Sequence, residues 1–345
     1  MTGLDLSQLV GQEEARGRLV RWFSSGRLPH ALVFEGPDGV GKRTAARMFA
    51  AARLCLSPPE PARACGVCAA CTKLLAGTHA DFTDLSPKGR SIKVSEVREV
   101  ERGLRLRPLE GRAKVVVVDQ ADRMTIEAQN ALLKSLEEPP GQAHWVLVTQ
   151  RPRTLLPTIL SRCQRLRFRP IPVAELAAHL QRQGLPDRPA RLVAGWTQGA
   201  IGRASEMDAD SVLTLRDEVR DLDVRLEPGN GSEDGSVSVA LSVASDLAQD
   251  RARMKTILEL WALWLQDQLR LHFHAMPAEL ANEDQRPMLQ GLVARRSTGL
   301  LLHRARTVLE AHHQLDLPFN LNALMVAEQM CLALAGRGRM VLERP

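Results

Sequence analysis

Apolar residues follow two rhythms along this chain. In the first half, short unbroken apolar runs alternate with stretches that repeat every three to four positions. Ala31-Leu32-Val33-Phe34-Glu35 is one such run, and it leads straight into glycines. Lys114-Val115-Val116-Val117-Val118-Asp119 is β-branched and ends in a carboxylate. Residues 144–149 (HWVLVT) are another, and residues 165–168 (RLRF) read as a further short strand. Short apolar runs without polar alternation mark strands buried on both faces. Residues 42–54 and 125–138 lie between these runs with helical spacing. The second helix is well bounded: Thr125 can cap its start, Glu127 suits the first turn, and Pro139-Pro140 stop it. Ala128, Leu132 and Leu136, four apart, give it a face to bury. Strands alternating with helices predict an α/β domain whose parallel sheet is covered on both sides.

After Pro170-Ile171-Pro172 the strand rhythm stops. Residues 173–183 and 189–197 read as short helices, and from about residue 207 only helical periodicity remains. A long helix, continuous or broken, is expected over 239–269. Another is expected around 300–312, and a last one over 321–335, ended by Gly336. Residues 227–236 (EPGNGSEDGS) read as a polar, glycine-rich loop. Trp261, Trp264 and Leu265 fall on one helical face and read as core or as a subunit interface.

The 345 residues suit two or three domains at about 100–200 residues each. With 44% hydrophobic and 25% charged residues, the chain is not an intrinsically disordered one. Aromatics are only 3% and Tyr is missing, which argues against a nucleic-acid binder built on stacking platforms. A net charge of +6 permits contact with nucleic acid or acidic partners without demonstrating either. Arg102, Arg105, Arg107 and Arg112 are spaced among apolar residues. That pattern reads first as a solvated face and second as a contact to DNA phosphates. Residues 1–10 lack the basic start and apolar core of a secretory signal, and no apolar run of about 18 residues appears. The expected location is therefore cytoplasmic, where clustered cysteines mean metal or chemistry rather than disulfides.

Gly36-Pro37-Asp38-Gly39-Val40-Gly41-Lys42 has the G-x-x-x-x-G-K spacing of a phosphate loop between strand and helix. Gly36, Gly39 and Gly41 let successive backbone N–H groups face one anion, and Lys42 can reach the β and γ phosphates of a nucleotide such as ATP. The next residue should carry the hydroxyl that holds Mg²⁺. Here it is Arg43, and Thr44 comes one place late, about 100° further round the helix. Asp119 matches the second, metal-side carboxylate of such sites, but the following position carries Gln120 in place of a glutamate. An amide can hold a water yet cannot serve as a carboxylate base. These departures favour nucleotide binding with weak or no hydrolysis over an active motor.

Cys55, Cys65, Cys68 and Cys71 form C-x9-C-x2-C-x2-C. Four thiolates at that spacing suit tetrahedral zinc with no position left for water, a structural site. Free thiols or a redox C-x-x-C pair are the alternatives. Cys163 and Cys331 stand apart and read as buried thiols.

Several segments together resemble the bacterial clamp-loader subunits of the AAA+ ATPase superfamily. They are Val10-Gly11-Gln12, Leu28-Pro29-His30-Ala31, the cysteine insert, residues 128–140 (AQNALLKSLEEPP) and Ser161-Arg162-Cys163. The likeness covers about residues 8–170, and residues 320–334 are similar to the family's last collar helix. It implies an α/β P-loop AAA+ domain over 1–170, with a parallel five-stranded sheet and a zinc module at 55–71. A small helical lid over 171–207 and an all-α, ring-forming collar over 208–345 would follow.

The resemblance also assigns roles. Gly36, Gly39, Gly41, Lys42, Arg43, Thr44 and Asp119 would surround nucleotide, with Thr149 as first sensor and Arg203 as second. Arg203, in Gly199-Ala200-Ile201-Gly202-Arg203, reads otherwise as a solvated residue. Arg162, by itself a surface ion-pair residue, becomes an arginine finger acting in trans on a neighbouring ATPase. The implied partners are the gamma/tau and delta subunits of a DNA polymerase III loader, and through them the sliding clamp and primed DNA. No membrane is implied. Motor subunits keep a hydroxyl residue after the lysine and a glutamate after the aspartate, so Arg43 and Gln120 favour the non-motor, stator class. A gamma/tau-like motor is the first alternative. A zinc-ribbon nucleic-acid-binding protein with a vestigial loop is the second.

Overall fold

A computed structural model of the chain describes residues 5–205, 207–229, 233–274, 280–317 and 321–337. The elements in order begin with α1 (Glu13–Ser25), β1 (Ala31–Glu35), α2 (Lys42–Leu54) and α3 (Ala69–Leu75). Next come β2 (Phe82–Leu85), α4 (Val94–Leu104), β3 (Lys114–Val118) and α5 (Ile126–Glu137). Then follow β4 (Ala143–Thr149), α6 (Pro157–Leu160), β5 (Gln164–Arg167), α7 (Val173–Arg182), α8 (Asp187–Trp196) and α9 (Ile201–Ala204). The rest is helical: α10 (Ala209–Arg225), α11 (Glu233–Ala248), α12 (Arg251–His272), α13 (Arg286–Arg295), α14 (Thr298–Asp316) and α15 (Ala323–Leu334).

The chain divides into two compact units, one of residues 1–172 with 199–203, the other of 173–198 with 204–345. In the first, five parallel strands run in the order β2-β3-β4-β1-β5. The β-branched and apolar runs form its centre: every residue of β1 and β4 is buried. One face of the sheet packs Leu32, Phe34, Val115 and Val117 against Ala45, Phe49 and Leu74. The other packs Val33, Val116, Val118 and Trp145 against Val97, Leu132 and Leu136. Alternate residues of one strand thus feed opposite layers, as the two-residue period of a strand requires.

Sequence periodicity locates four of the five strands. The fifth, β2, is a four-residue edge strand (FTDL) with only Leu85 buried, too short and too polar to stand out. The helix over 125–138 forms as expected, and Thr125 Oγ1 accepts from the Ala128 N–H at 3.2 Å.

The second unit is helical throughout its described residues. The long apolar stretch is two helices, α11 and α12, and Asp250 restarts the chain by accepting from the Ala252 and Arg253 N–H groups. The loop expected over 227–236 is shorter than its composition implies, because α11 already begins at Glu233; residues 230–232 lie outside the described residues. Asn320, at the start of the expected last collar helix, also lies outside them, and α15 begins at Ala323.

Trp261 and Trp264 are core residues: both are fully buried, and both indole N–H groups donate to Asp223, at 3.2 and 3.1 Å. Asp223 also pairs with Arg296 (2.6 Å) and Arg304 (2.7 Å), all three side chains fully buried. The two arginines outweigh the cost of burial and hold this carboxyl down at about 2.

Candidate functional site

The glycine loop lies where β1 ends and α2 begins, at the carboxyl edge of the sheet. Ligands of open α/β sheets bind at that edge. Gly36 donates its N–H to Thr149 O at 3.3 Å, which ties the start of the loop to the end of β4. Gly41, in the left-handed region, opens α2 without a side-chain cap. The first-turn N–H groups of this helix are therefore not spent on a capping side chain, the arrangement that favours an anion. Gly39 has φ +73°, and a Cβ there would lie 2.8 Å from Ala200 Cβ. Only glycine fits this turn.

Lys42 is buried, and its ammonium donates back to Pro37 O within the loop. Burial lowers its pKa, against the opposing charges of Asp38, Asp119 and Asp122. Arg43 does not project freely. Its guanidinium meets Asp84 at 2.9 Å and Asp119 at 3.5 Å, and a further N–H reaches Ser86 Oγ at 3.4 Å. Burial works against its charge, but the bond to Asp84 and the charges of both acids outweigh it and raise its pKa. Asp119 is raised by its own burial, against the pull of Arg43. Thr44 is half-buried. Asp84 is a residue that sequence reasoning missed. It sits in β2, paired in register beside Val117 of β3, so the two acids end neighbouring strands. The only signal was a carboxylate near the end of a short run, Phe82-Thr83-Asp84-Leu85-Ser86.

Gln120 takes a left-handed conformation, φ +49°, and opens the short turn Ala121–Arg123. Thr149, at the end of β4, donates its hydroxyl to Asp122 Oδ1 at 2.9 Å and accepts from the Arg151 N–H at 3.0 Å. Asp122 is thus a second residue missed from sequence. The Gly199–Arg203 segment returns to the loop, with the Gly202 N–H donating to Gly39 O at 2.9 Å. Gly199 (φ +80°) lets it pass Ile171, whose carbonyl oxygen would lie 2.2 Å from an added Cβ. Arg203 Cγ lies 3.4 Å from the point where a Cβ on Gly39 would stand, so this arginine is beside the loop. Gln12 fastens the same edge: its amide donates to Val40 O and Arg169 O and accepts from the Arg169 N–H.

Arg162 follows α6. Its guanidinium meets Glu137 at 2.7 Å and donates to Thr158 O at 3.0 Å, with its side chain 37% exposed. Gln129 of α5 braces this region, donating to Thr154 O and accepting from the Leu156 N–H. Cys163, in the same motif, is buried, and burial pushes its thiol up to about 12. Cys331 is likewise buried and pushed up to about 12.

The four clustered cysteines converge. All four sulfurs lie within 4.8 Å of one another, with Cys55–Cys68 at 3.9 Å and Cys65–Cys71 at 4.0 Å. A tetrahedral ion with bonds of about 2.3 Å needs sulfurs about 3.8 Å apart, so the set fits. Backbone N–H groups of Cys65 and Cys68 donate to Cys55 Sγ and Cys65 Sγ, both at 3.3 Å. At Cys68 burial opposes ionisation, yet backbone N–H groups and neighbouring sulfurs bring the thiol down to about 6. Cys55 terminates α2, the helix that begins at Lys42. Thirteen residues separate the two ends by about 20 Å. The cluster is therefore remote from the glycine loop and cannot act on a ligand held there. The cations beside the cluster are paired, Arg63 with Asp5 at 2.8 Å and Lys73 with Glu110 at 2.7 Å.

Comparison with known proteins follows the same division. Residues 11–172 match a family described as DNA polymerase III, delta subunit, and residues 235–335 match DNA polymerase III, delta subunit, C terminal. The chain is similar to the DNA polymerase III subunit delta' of Bacillus subtilis (strain 168), 38% identical over 181 residues, 52% of this chain and 54% of that one. It is similar to the delta' subunit of Pseudomonas aeruginosa, 42% identical over 163 residues, 47% of this chain and 49% of that one. It is also similar to the tau subunit of Escherichia coli (strain K12), 34% identical over 175 residues, 51% of this chain and 27% of that one. The matched region spans about half the length of the delta' relatives. With delta-subunit families matched in both parts of the chain and delta' relatives similar over about half of it, the chain belongs to the delta' branch of the DNA polymerase III clamp-loader family of AAA+ proteins.

Proposed function

We propose that this chain is the stator of a DNA polymerase III clamp loader, a cytoplasmic delta' subunit that lends Arg162 to the ATP site of a neighbouring motor subunit. The observation that carries this reading is where two arginines stand. Both are exposed and both are ion-paired, Arg162 to Glu137 and Arg43 to Asp84 and Asp119. Only Arg43 takes the place beside the loop lysine where hydrolysis needs a hydroxyl. A guanidinium brought to the γ-phosphate of another subunit stabilises transition-state charge, and such fingers are worth about 10³–10⁵ in rate. In its own loop, Gly36, Gly39, Gly41 and Lys42 hold nucleotide, with Thr44, Asp119, Thr149 and Arg203 around it, and turnover is weak or absent. Gln120 offers no carboxylate base.

The gamma/tau and delta subunits are the direct partners in this reading, and the sliding clamp and primed DNA are reached through the assembly. The division into a sheet domain to 170, a lid over 171–207 and a collar over 208–345 belongs to the same proposal. Cys55, Cys65, Cys68 and Cys71 hold zinc, which supplies cross-linking of the insert and no chemistry. ATP turnover by the purified chain tests the reading. It predicts turnover that is absent or far below that of a motor subunit, and turnover at the rate of a motor subunit would overturn it.

A further inference from the structure

Asp84 and Asp119 end adjacent parallel strands beside the glycine loop. Two carboxylates in one partly buried site repel each other and repel any phosphate brought to Lys42. In phosphate-loop enzymes a divalent cation relieves that repulsion, held by a hydroxyl next to the lysine and by the strand-end acid. Here the hydroxyl is replaced by Arg43. The guanidinium spans both acids, Nη2 to Asp84 at 2.9 Å and Nη1 to Asp119 at 3.5 Å. Ser86 completes the fork, accepting from Arg43 Nη2 and donating to Asp84 Oδ1, both at 3.4 Å.

We infer that Arg43 is a built-in counter-cation that replaces the divalent metal of this site, so the loop takes a nucleoside di- or triphosphate without Mg²⁺. The argument is one of occupancy and charge. Arginine keeps its charge at any physiological pH, and its planar fork can face carboxylates on one side while donating to phosphate oxygens. Asp84 Oδ2 accepts from Arg43 Nη2 and Asp84 Oδ1 from the Ser86 hydroxyl, while Asp119 Oδ2 faces Arg43 Nη1 at ion-pair distance, so a metal would meet a cation already in place. A metal would have to displace a fixed charge of the same sign, at a Coulombic cost. The inference rests on the glycine loop being a nucleotide site, as proposed above, and is independent of any role of Arg162.

The test is calorimetric titration of ATP into the 345-residue chain, in EDTA and in excess magnesium, repeated with Arg43→Thr, which restores the hydroxyl. For the unchanged chain the two affinities are expected to agree within about threefold, less than 1 kcal/mol. For Arg43→Thr, removing magnesium is expected to weaken ATP by about tenfold or more. Binding by the unchanged chain that appears only with magnesium would overturn the inference while leaving the loop a nucleotide site. No ATP binding in either condition would overturn both. A metal dependence that is the same in both proteins would show that Arg43 is not the substitute. The unchanged chain decides the first two outcomes without any variant having to fold.

Discussion

Arg162 and Glu137 form an ion pair of 2.7 Å between the end of α5 and the turn after α6. Glu137 belongs to the SLEEPP stretch and Arg162 to the Ser-Arg-Cys motif, two segments separated in sequence and joined here by one contact. The pair is half exposed, so its worth to folding is small, about 0–1 kcal/mol. Its plainer consequence is geometric: it limits where the guanidinium can point. Glu137→Gln is expected to shift the unfolding midpoint little and to lower ATP turnover in a reconstituted loader several-fold. That loss should vanish in an Arg162→Ala background, since a positioning residue acts only through the residue it positions. An undiminished effect without Arg162 would assign Glu137 another role.

Removing thiolates from the insert should unfold it. One zinc per chain is expected by metal analysis, lost in a Cys65→Ser, Cys68→Ser double variant. Structural zinc contributes on the order of 10 kcal/mol in small modules, so strong chelation should expose the insert to protease near residues 56–67. Folding that is indifferent to chelator would argue against a structural metal.

His144 lies in β4, its Nδ1–H donating to Pro29 O at 2.9 Å and its Nε2 accepting from Arg53 at 3.0 Å. Burial, with the nearby Arg53 charge, brings its pKa down to about 4. The unfolded chain then binds more protons than the folded one between pH ~6.5 and ~4, so stability falls as pH drops through that window. Urea midpoints measured across it should show the decline, and His144→Gln should flatten it. An identical slope in the variant would place the titration elsewhere.

Asp223 is the shared partner of Arg296, Arg304, Trp261 and Trp264. Removing one member of a buried ion cluster leaves charge uncompensated, at about 3–5 kcal/mol. Asp223→Ala is expected to lose that much by chemical denaturation. Replacing a surface ion pair such as Arg191–Asp187 should cost less than about 1 kcal/mol.

Much of the sheet was legible because apolar runs and glycines act locally. β1, β3 and β4 were each marked by consecutive apolar or β-branched residues, β5 only by Leu166 and Phe168 among charges, and the cysteine site by spacing alone. What sequence could not supply was adjacency. β2 is an edge strand of four residues, and without it Asp84 has no address beside Asp119. Arg43 was visible as a departure, but its meaning depends on two acids brought to it by strand order. The hydroxyl of Thr149 was visible too, while its bond to Asp122 depends on a left-handed turn at Gln120. Composition misled at 227–236. Gly235 sits within the first turn of α11, where few intrahelical bonds are at stake, so a glycine there does not prevent a helix.

The most direct test of the central claim is clamp loading by a reconstituted loader in which this chain carries either Arg162→Ala or Lys42→Ala. Arg162→Ala is predicted to lower turnover at the neighbouring site by about 10³-fold or more and loading with it. Lys42→Ala is predicted to leave both within about threefold, under 1 kcal/mol of effect. Comparable losses from the two substitutions, or full loading with Arg162→Ala, would contradict the stator reading.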